Sequence, residues 1–250
     1  NGAIPAFPPQ ISLNHIAAHF YPGEEDVIFK EGDVAKLDVG VCIDGYIADT
    51  ARTIDLGNNK ELLKASNEAL HNALKIIRPG VEIGLIGKTI QETITSHGFS
   101  PVRNLSGHGL GLYKVHGPPS IPNVSTNDKT QLQDNQVIAI EPFATNGAGI
   151  IYESGHPTLF SMERERPVRS PMTREVLREI VSYKGLPFAS RWLIKKFGPG
   201  KTAFALRELI SSGMLDSHSP LLDKEKGLVS QAEHSVIVKD KLIIYTKGDD

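Results

Sequence analysis

The chain of 250 residues predicts an α+β fold in which antiparallel strands are flanked by helices and a small helical unit is inserted late. Three observations carry that prediction. Residues 34–55 and 232–246 each read as two apolar arms around a tight turn. Residues 60–78 and 84–97 repeat apolar side chains at helical spacing. Residues 160–228 cluster helix starts and stops and carry a different charge from the rest of the chain.

Taken in order, the first hairpin turns at Asp44-Gly45, a pair suited to a two-residue type I′ turn. Leu62, Leu63, Ser66, Ala69, Leu70, Ala73, Leu74 and Ile77 then recur as one helix face until Pro79-Gly80 stops it. A second helix over 84–97 is closed by Gly98. The Gly- and Pro-rich stretch "NLSGHGLGLYKVHGPPSIPNV" (104–124) reads as irregular, and "NQVIAIEPFAT" (135–145) as a strand. In the inserted segment, Ser170-Pro171 starts a helix that Gly185 ends, and "ASRWLIKKFG" and "TAFALRELISSG" each run to a closing glycine. The last hairpin, "AEHSVIVKDKLIIYT", turns at Lys239-Asp240-Lys241. The chain therefore divides into a main unit, 1–159 with 229–250, and an insert, 160–228.

Composition excludes several classes. Net charge is −2 and pI about 6.5, so the whole molecule is not built as a DNA or membrane binder. No run of eighteen apolar residues occurs, and "NGAIPAFPPQ" has neither a basic nor an apolar signal-peptide region. Cys42 is alone, so no intrachain disulfide forms, which fits a reducing, cytoplasmic setting. Residues 163–208 hold eleven Lys or Arg against five Asp or Glu, while the molecule as a whole is acidic.

The first hairpin places two carboxylates where a strand pair would otherwise be apolar. With Asp44-Gly45 as the turn, Ile43 faces Tyr46 and Gly40 faces Asp49. Alternation then puts Asp38, Gly40 and Cys42 on one face with Ile47, Asp49 and Ala51. Asp38 is the diagonal neighbour of Asp49, close enough for the side-chain tips to converge across the space left by Gly40. Val39, Val41, Ile43, Tyr46 and Ala48 form the other, apolar face, expected to meet the core. Converging like charges need a shared proton, a basic partner or a bound cation. Downstream lie His108 in "SGHGLG", His116 in "KVHGPP", Glu141 after "VIAI" and Glu233 before "HSVIV". Asp38, Asp49, His108, Glu141 and Glu233 form an oxygen-rich set. Such a set suits a pair of Mn, Fe, Co or Zn ions better than one tetrahedral structural zinc. His15, His71, His97, His234 and Cys42 are read as structural.

These stretches resemble methionine aminopeptidases of the pita-bread fold, in the type II, archaeal-like form. "SLNHIAAHF" resembles the family's substrate-proximal histidine segment and puts that histidine at His19. "KLDVGVCIDGYIADTA" matches the two-aspartate hairpin, "SGHGLGLYKVH" a ligand and a second active-site histidine, "AIEPF" and "QAEHSV" the glutamates. The resemblance spans essentially the whole chain and implies a curved antiparallel sheet with a winged-helix-like insert. It implies a dinuclear metal centre, with Asp38 on one ion, Asp49 and Glu233 bridging, and His108 and Glu141 completing the other. It makes Glu141 the proton shuttle and has His19 and His116 hydrogen-bond the scissile peptide. It also implies that Phe7, Val115 and His218 contribute to the methionine pocket. The substrate implied is a peptide or nascent chain beginning with Met and followed by a small residue. The family's helices before the "NGAIPAFP" strand are missing, so the sequence is expected to begin part-way into a longer chain. Two other readings share the same fold: a proline-specific peptidase of prolidase or aminopeptidase P type, with the same five ligands, and a binding protein without catalysis, whose relatives have lost them. The intact ligand set opposes the second. The basic insert is a candidate for docking on ribosomal RNA, against the plainer reading of a solvated basic face.

Overall fold

A computed structural model describes residues 2–23 and 25–248, so the limits 1 and 250 of the expected main unit lie outside the described residues. Three short strands come first: β1 (Ile4–Pro5), β2 (Gln10–Leu13) and β3 (Ile16–Ala18). The long hairpin follows as β4 (Val34–Ile43) and β5 (Tyr46–Asp55). Its register is the one the turn dictates, with Ile43 opposite Tyr46, Gly40 opposite Asp49 and Asp38 opposite Ala51. Asp44 and Gly45 have φ of +52° and +93°, the pair of positive values a type I′ turn needs.

The burial of this hairpin reverses the expectation. Val41, Ile43 and Tyr46 are 42%, 47% and 76% exposed, whereas Cys42 and Ile47 on the aspartate face are 1% and 5% exposed. The carboxylates therefore point inward and the apolar face outward. Strand alternation separates two faces without saying which one the rest of the chain will cover. Here the later strands cover the aspartate side. Nor is the space over Gly40 open, because a Cβ there would lie 2.3 Å from the Phe7 ring. Gly40 makes room for that ring.

Helices α1 (Lys60–Ile76) and α2 (Ile83–Ser96) form at the predicted places. Their buried faces, including Leu62, Ala69, Ile86 and Ile90, pack on Ile121, Ile138 and Ile140 to make the largest core. After β6 (Ser100–Pro101), the stretch expected to be irregular is instead a hairpin, β7 (Ser106–Gly111) and β8 (Lys114–Pro122). Its glycines misled the reading. They sit in strands because neighbouring backbone approaches too closely for a side chain. A Cβ on Gly107 would meet the Ala139 carbonyl oxygen at 2.3 Å, and one on Gly109 the Pro118 carbonyl oxygen at 2.0 Å. The strand expected over 135–145 is broken in two, β9 (Val137–Ile140) and β10 (Phe143–Thr145), with Glu141-Pro142 at the break.

The remaining elements are β11 (Ile151–Glu153), β12 (Leu159–Met162), α3 (Pro171–Ser182), β13 (Phe188–Ala189), α4 (Ser190–Phe197) and α5 (Pro199–Ser211). They are followed by β14 (Leu215–His218), β15 (Leu221–Asp223), β16 (Val229–Gln231), β17 (His234–Ile237) and β18 (Ile243–Ile244). Ser170 caps α3 by accepting from the Thr173 N–H, with Pro171 at the first helical position. The three late helices and the sheet β13-β12-β14 enclose a core of their own, from Phe160 through Val176, Ile180, Phe188 and Leu209 to Leu215. β15 pairs with β3 and β11, so residues 221–223 are already part of the main body. A five-stranded antiparallel sheet, β18-β17-β9-β7-β8, stands beside the sheet holding β4 and β5. Hydrogen bonds join the two. Ser235 Oγ accepts from the Asp49 N–H at 3.0 Å and donates to the Asp49 carbonyl at 2.7 Å. The Glu233 N–H donates to the Ala51 carbonyl at 3.0 Å.

Candidate metal centre

Asp38 and Asp49 lie on the inward face of the β4–β5 hairpin, and His108 on β7. Glu141 sits at the break between β9 and β10, and Glu233 just before β17. Ligand atoms of Asp49, His108 and Glu233 all lie within 4.8 Å of one another, and all three residues are buried. His108 Nε2 is 3.7 Å from Asp49 Oδ2 and 3.6 Å from Glu141 Oε1. Among the described residues no Lys or Arg pairs with any of these carboxylates.

Four buried carboxyl groups so close together are costly to ionise. Burial raises Asp38 from 3.8 to about 7, opposed by a hydrogen bond from Gln231. Burial, then the neighbouring Asp38, pushes Asp49 well above its usual value. Glu141 rises through burial, then Asp38 and Asp49, and Glu233 through burial, then Asp49, Glu141 and Asp38. One oxygen on each of Asp38 and Asp49 is buried with no hydrogen-bond partner. Buried oxygens rarely stay unpaired, and both belong to carboxylates that line this site. An oxygen-rich donor set with a single imidazole and two orphaned oxygens fits divalent cations.

The cluster forms the floor of a cavity of about 640 Å³. All the predicted positions line this one cavity: Phe7, His19, Val115, His116 and His218 as well as the five donors. Phe7 and Val115 belong to one buried apolar cluster. The His108 and His116 rings are 4.4 Å apart and those of His19 and His218 5.6 Å. Burial, then His218, lowers His19 to about 4. Burial, then His108, His19 and His218, lowers His116 to about 3. Both imidazoles are thus neutral near pH 7, each with one donor and one acceptor nitrogen.

The sequence reading missed two kinds of residue. Gln231 is buried, and its Nε2 donates to Glu141 Oε2 at 3.4 Å while its amide also opposes the upward shift of Asp38. Two-residue alternation from Glu233 was the available signal. The insert also supplies wall residues, among them Ser161, whose Oγ is 2.9 Å from His218 Nε2. Nothing in the sequence connects position 161 with 218; the pairing of β12 with β14 does.

A fold with this centre is that of a metallopeptidase, and the comparisons agree. The profile of metallopeptidase family M24 matches residues 1–169. The chain belongs to that family. It is 50% identical to a methionine aminopeptidase of Archaeoglobus fulgidus over 241 residues, 96% of this chain and 81% of the relative. The crystal structure of a methionine aminopeptidase from Thermotoga maritima superposes with a TM-score of 0.64 at 25% identity, over 96% of this chain and 74% of that one. The prolidase from Pyrococcus furiosus shares the fold alone, with a TM-score of 0.58 at 19% identity over 98% of this chain and 50% of its own. The architecture is the pita-bread fold.

Proposed function

We propose that this chain removes an N-terminal methionine from peptides and nascent proteins, with a small residue preferred next. The observation that carries the reading is the convergence of five donor side chains, from five separate segments, on the floor of one cavity with an apolar wall. Asp38, Asp49, His108, Glu141 and Glu233 would hold two divalent ions. When bound, such ions acidify a water and polarise a carbonyl. Glu141 takes the proton from the attacking water and delivers it to the leaving amine. His19 and His116, kept neutral by burial, donate hydrogen bonds to the scissile peptide and to the oxyanion as it forms. Phe7 and Val115 receive the methionine side chain, and His218 stands beside His19 at the wall. A centre that holds the free amino end next to the scissile carbonyl acts on chain ends only.

The proline-specific reading has less support, since identity reaches 50% with a methionine aminopeptidase while the prolidase resembles this chain in fold alone. Cleavage of Met-Ala-Ser against an Xaa-Pro peptide decides between them. Release of Met from the first, with the second untouched, is expected. The reverse preference would overturn the reading.

A division into a catalytic unit and an insert belongs to the same proposal, with the insert's end drawn back from the expected 228 to before β15. Its support is the separate core of residues 160–215, with the return to the main body beginning at β15. The insert also offers a basic surface. Glu175 and Glu179 on α3 pair with Lys201 and Lys196, leaving Arg174 and Arg178 beside Arg166 without a carboxylate partner among the described residues. That surface suits ribosomal RNA, where nascent chains emerge in the cytoplasm. Co-sedimentation with ribosomes should weaken in salt and on replacing Arg166, Arg174 and Arg178 by Ala. Insensitivity to both would count against docking. Among the described residues no helix is long and apolar enough to cross a membrane.

A further inference from the structure

His19 adopts a backbone conformation its side chain does not favour. Its φ is +62°, in the left-handed region that residues with a Cβ seldom occupy. The twist comes one residue after β3 and faces the imidazole into the cavity, where it lines the wall with His218. Such conformations persist only where the surroundings hold them. Two contacts bracket this one. The His19 N–H donates to Gln10 Oε1. On the far side, the Phe20 carbonyl accepts from the Ile11 N–H at 3.1 Å. Gln10 is set by the sheet, since it stands opposite Asp38 in the pairing of β2 with β4.

We propose that Gln10 is a positioning residue for the peptidase reaction: its carboxamide oxygen pins the His19 backbone and aims that imidazole at the substrate, tying it to the strand that bears Asp38. The inference rests on the reading of His19 as a substrate-contacting group. Gln10→Met removes the acceptor at nearly constant length, Gln10→Glu keeps an oxygen there, and His19→Ala is the reference. Each is assayed on Met-Ala-Ser as the metal-loaded enzyme, with metal content and the His19 amide proton shift measured alongside.

Gln10→Met should lower kcat about 10-fold with KM within about 3-fold, because a misaimed group costs turnover more than binding. Its metal content should match wild type, and the His19 amide proton should move upfield. Gln10→Glu should restore most of the rate. Wild-type kcat in Gln10→Met alongside a crippled His19→Ala would overturn the role of Gln10 and leave that of His19 intact. Wild-type kcat in His19→Ala would overturn the reading of His19 and the inference with it. Equal loss in both Gln10 variants, or loss of metal together with activity, would make Gln10 a general structural residue and overturn the proposal.

Discussion

Gln231 shows how a neutral residue can matter in a cluster of acids. Its Nε2 donates to Glu141, and its amide favours the charged forms of both Glu141 and Asp38, from different segments, against the cost of burial. Residues that orient ligands in this way affect metal affinity by about 10–100-fold when removed. Gln231→Met should weaken binding of a divalent ion by at least about 10-fold in a calorimetric titration, with the fold retained. Unchanged affinity would mean that the carboxylates hold their places without it. The charged donors could be read from the sequence because Asp, Glu and His within apolar or glycine-rich segments demand an explanation. Gln10 could not, and Gln231 only through its alternation with Glu233, since a glutamine in a strand demands no explanation by itself. Their importance comes from partners 9 and 90 residues away, at His19 and Glu141.

The hairpins build the centre, and each was legible to a different degree. The β4–β5 register followed from Asp44-Gly45, a local signal, and that register put Asp38 and Asp49 on one face. Which face is buried depends on β16 and β17, nearly two hundred residues later, and local alternation carries no such information. The β7–β8 hairpin was hidden because glycine and proline ordinarily mark loops. There they answer to close backbone packing instead, which a sequence does not display. Gly109→Ala should therefore destabilise the protein by about 2 kcal/mol or more, since backbone rather than a side-chain tip must move away from the new methyl. Urea unfolding measures it, and a neutral result would show that β8 shifts freely. Ser235→Ala removes two bonds to the Asp49 backbone and should cost about 1–2 kcal/mol by the same measurement. No change in midpoint would mean water replaces the hydroxyl.

At the scale of the whole molecule, the metal centre joins two sheets, so its charge state is coupled to folding. In the metal-free protein Asp38 keeps its proton up to about pH 7, whereas in the unfolded chain it loses it near 3.8. Asp49, Glu141 and Glu233 shift in the same direction. The folded state then binds more protons than the unfolded one. Stability from these groups is complete below the unfolded value and is lost as pH rises through the folded one. Divalent ions take the place of those protons. The gap in Tm between metal-loaded and metal-free protein should widen from about pH 5 to about pH 7.5. A gap that stays constant or narrows would show that the carboxyls ionise freely without metal.

The central claim, that five side chains hold a catalytic metal pair, is tested most directly by counting metal and turnover together. Chelated protein is reloaded with one divalent metal at a time, and bound ions per chain are measured against Met release from Met-Ala-Ser. Activity should be absent in the chelated protein and return with bound metal, up to two ions per chain. Glu233→Ala should bind less metal and release no Met. Full activity in chelated, metal-free protein would contradict the account.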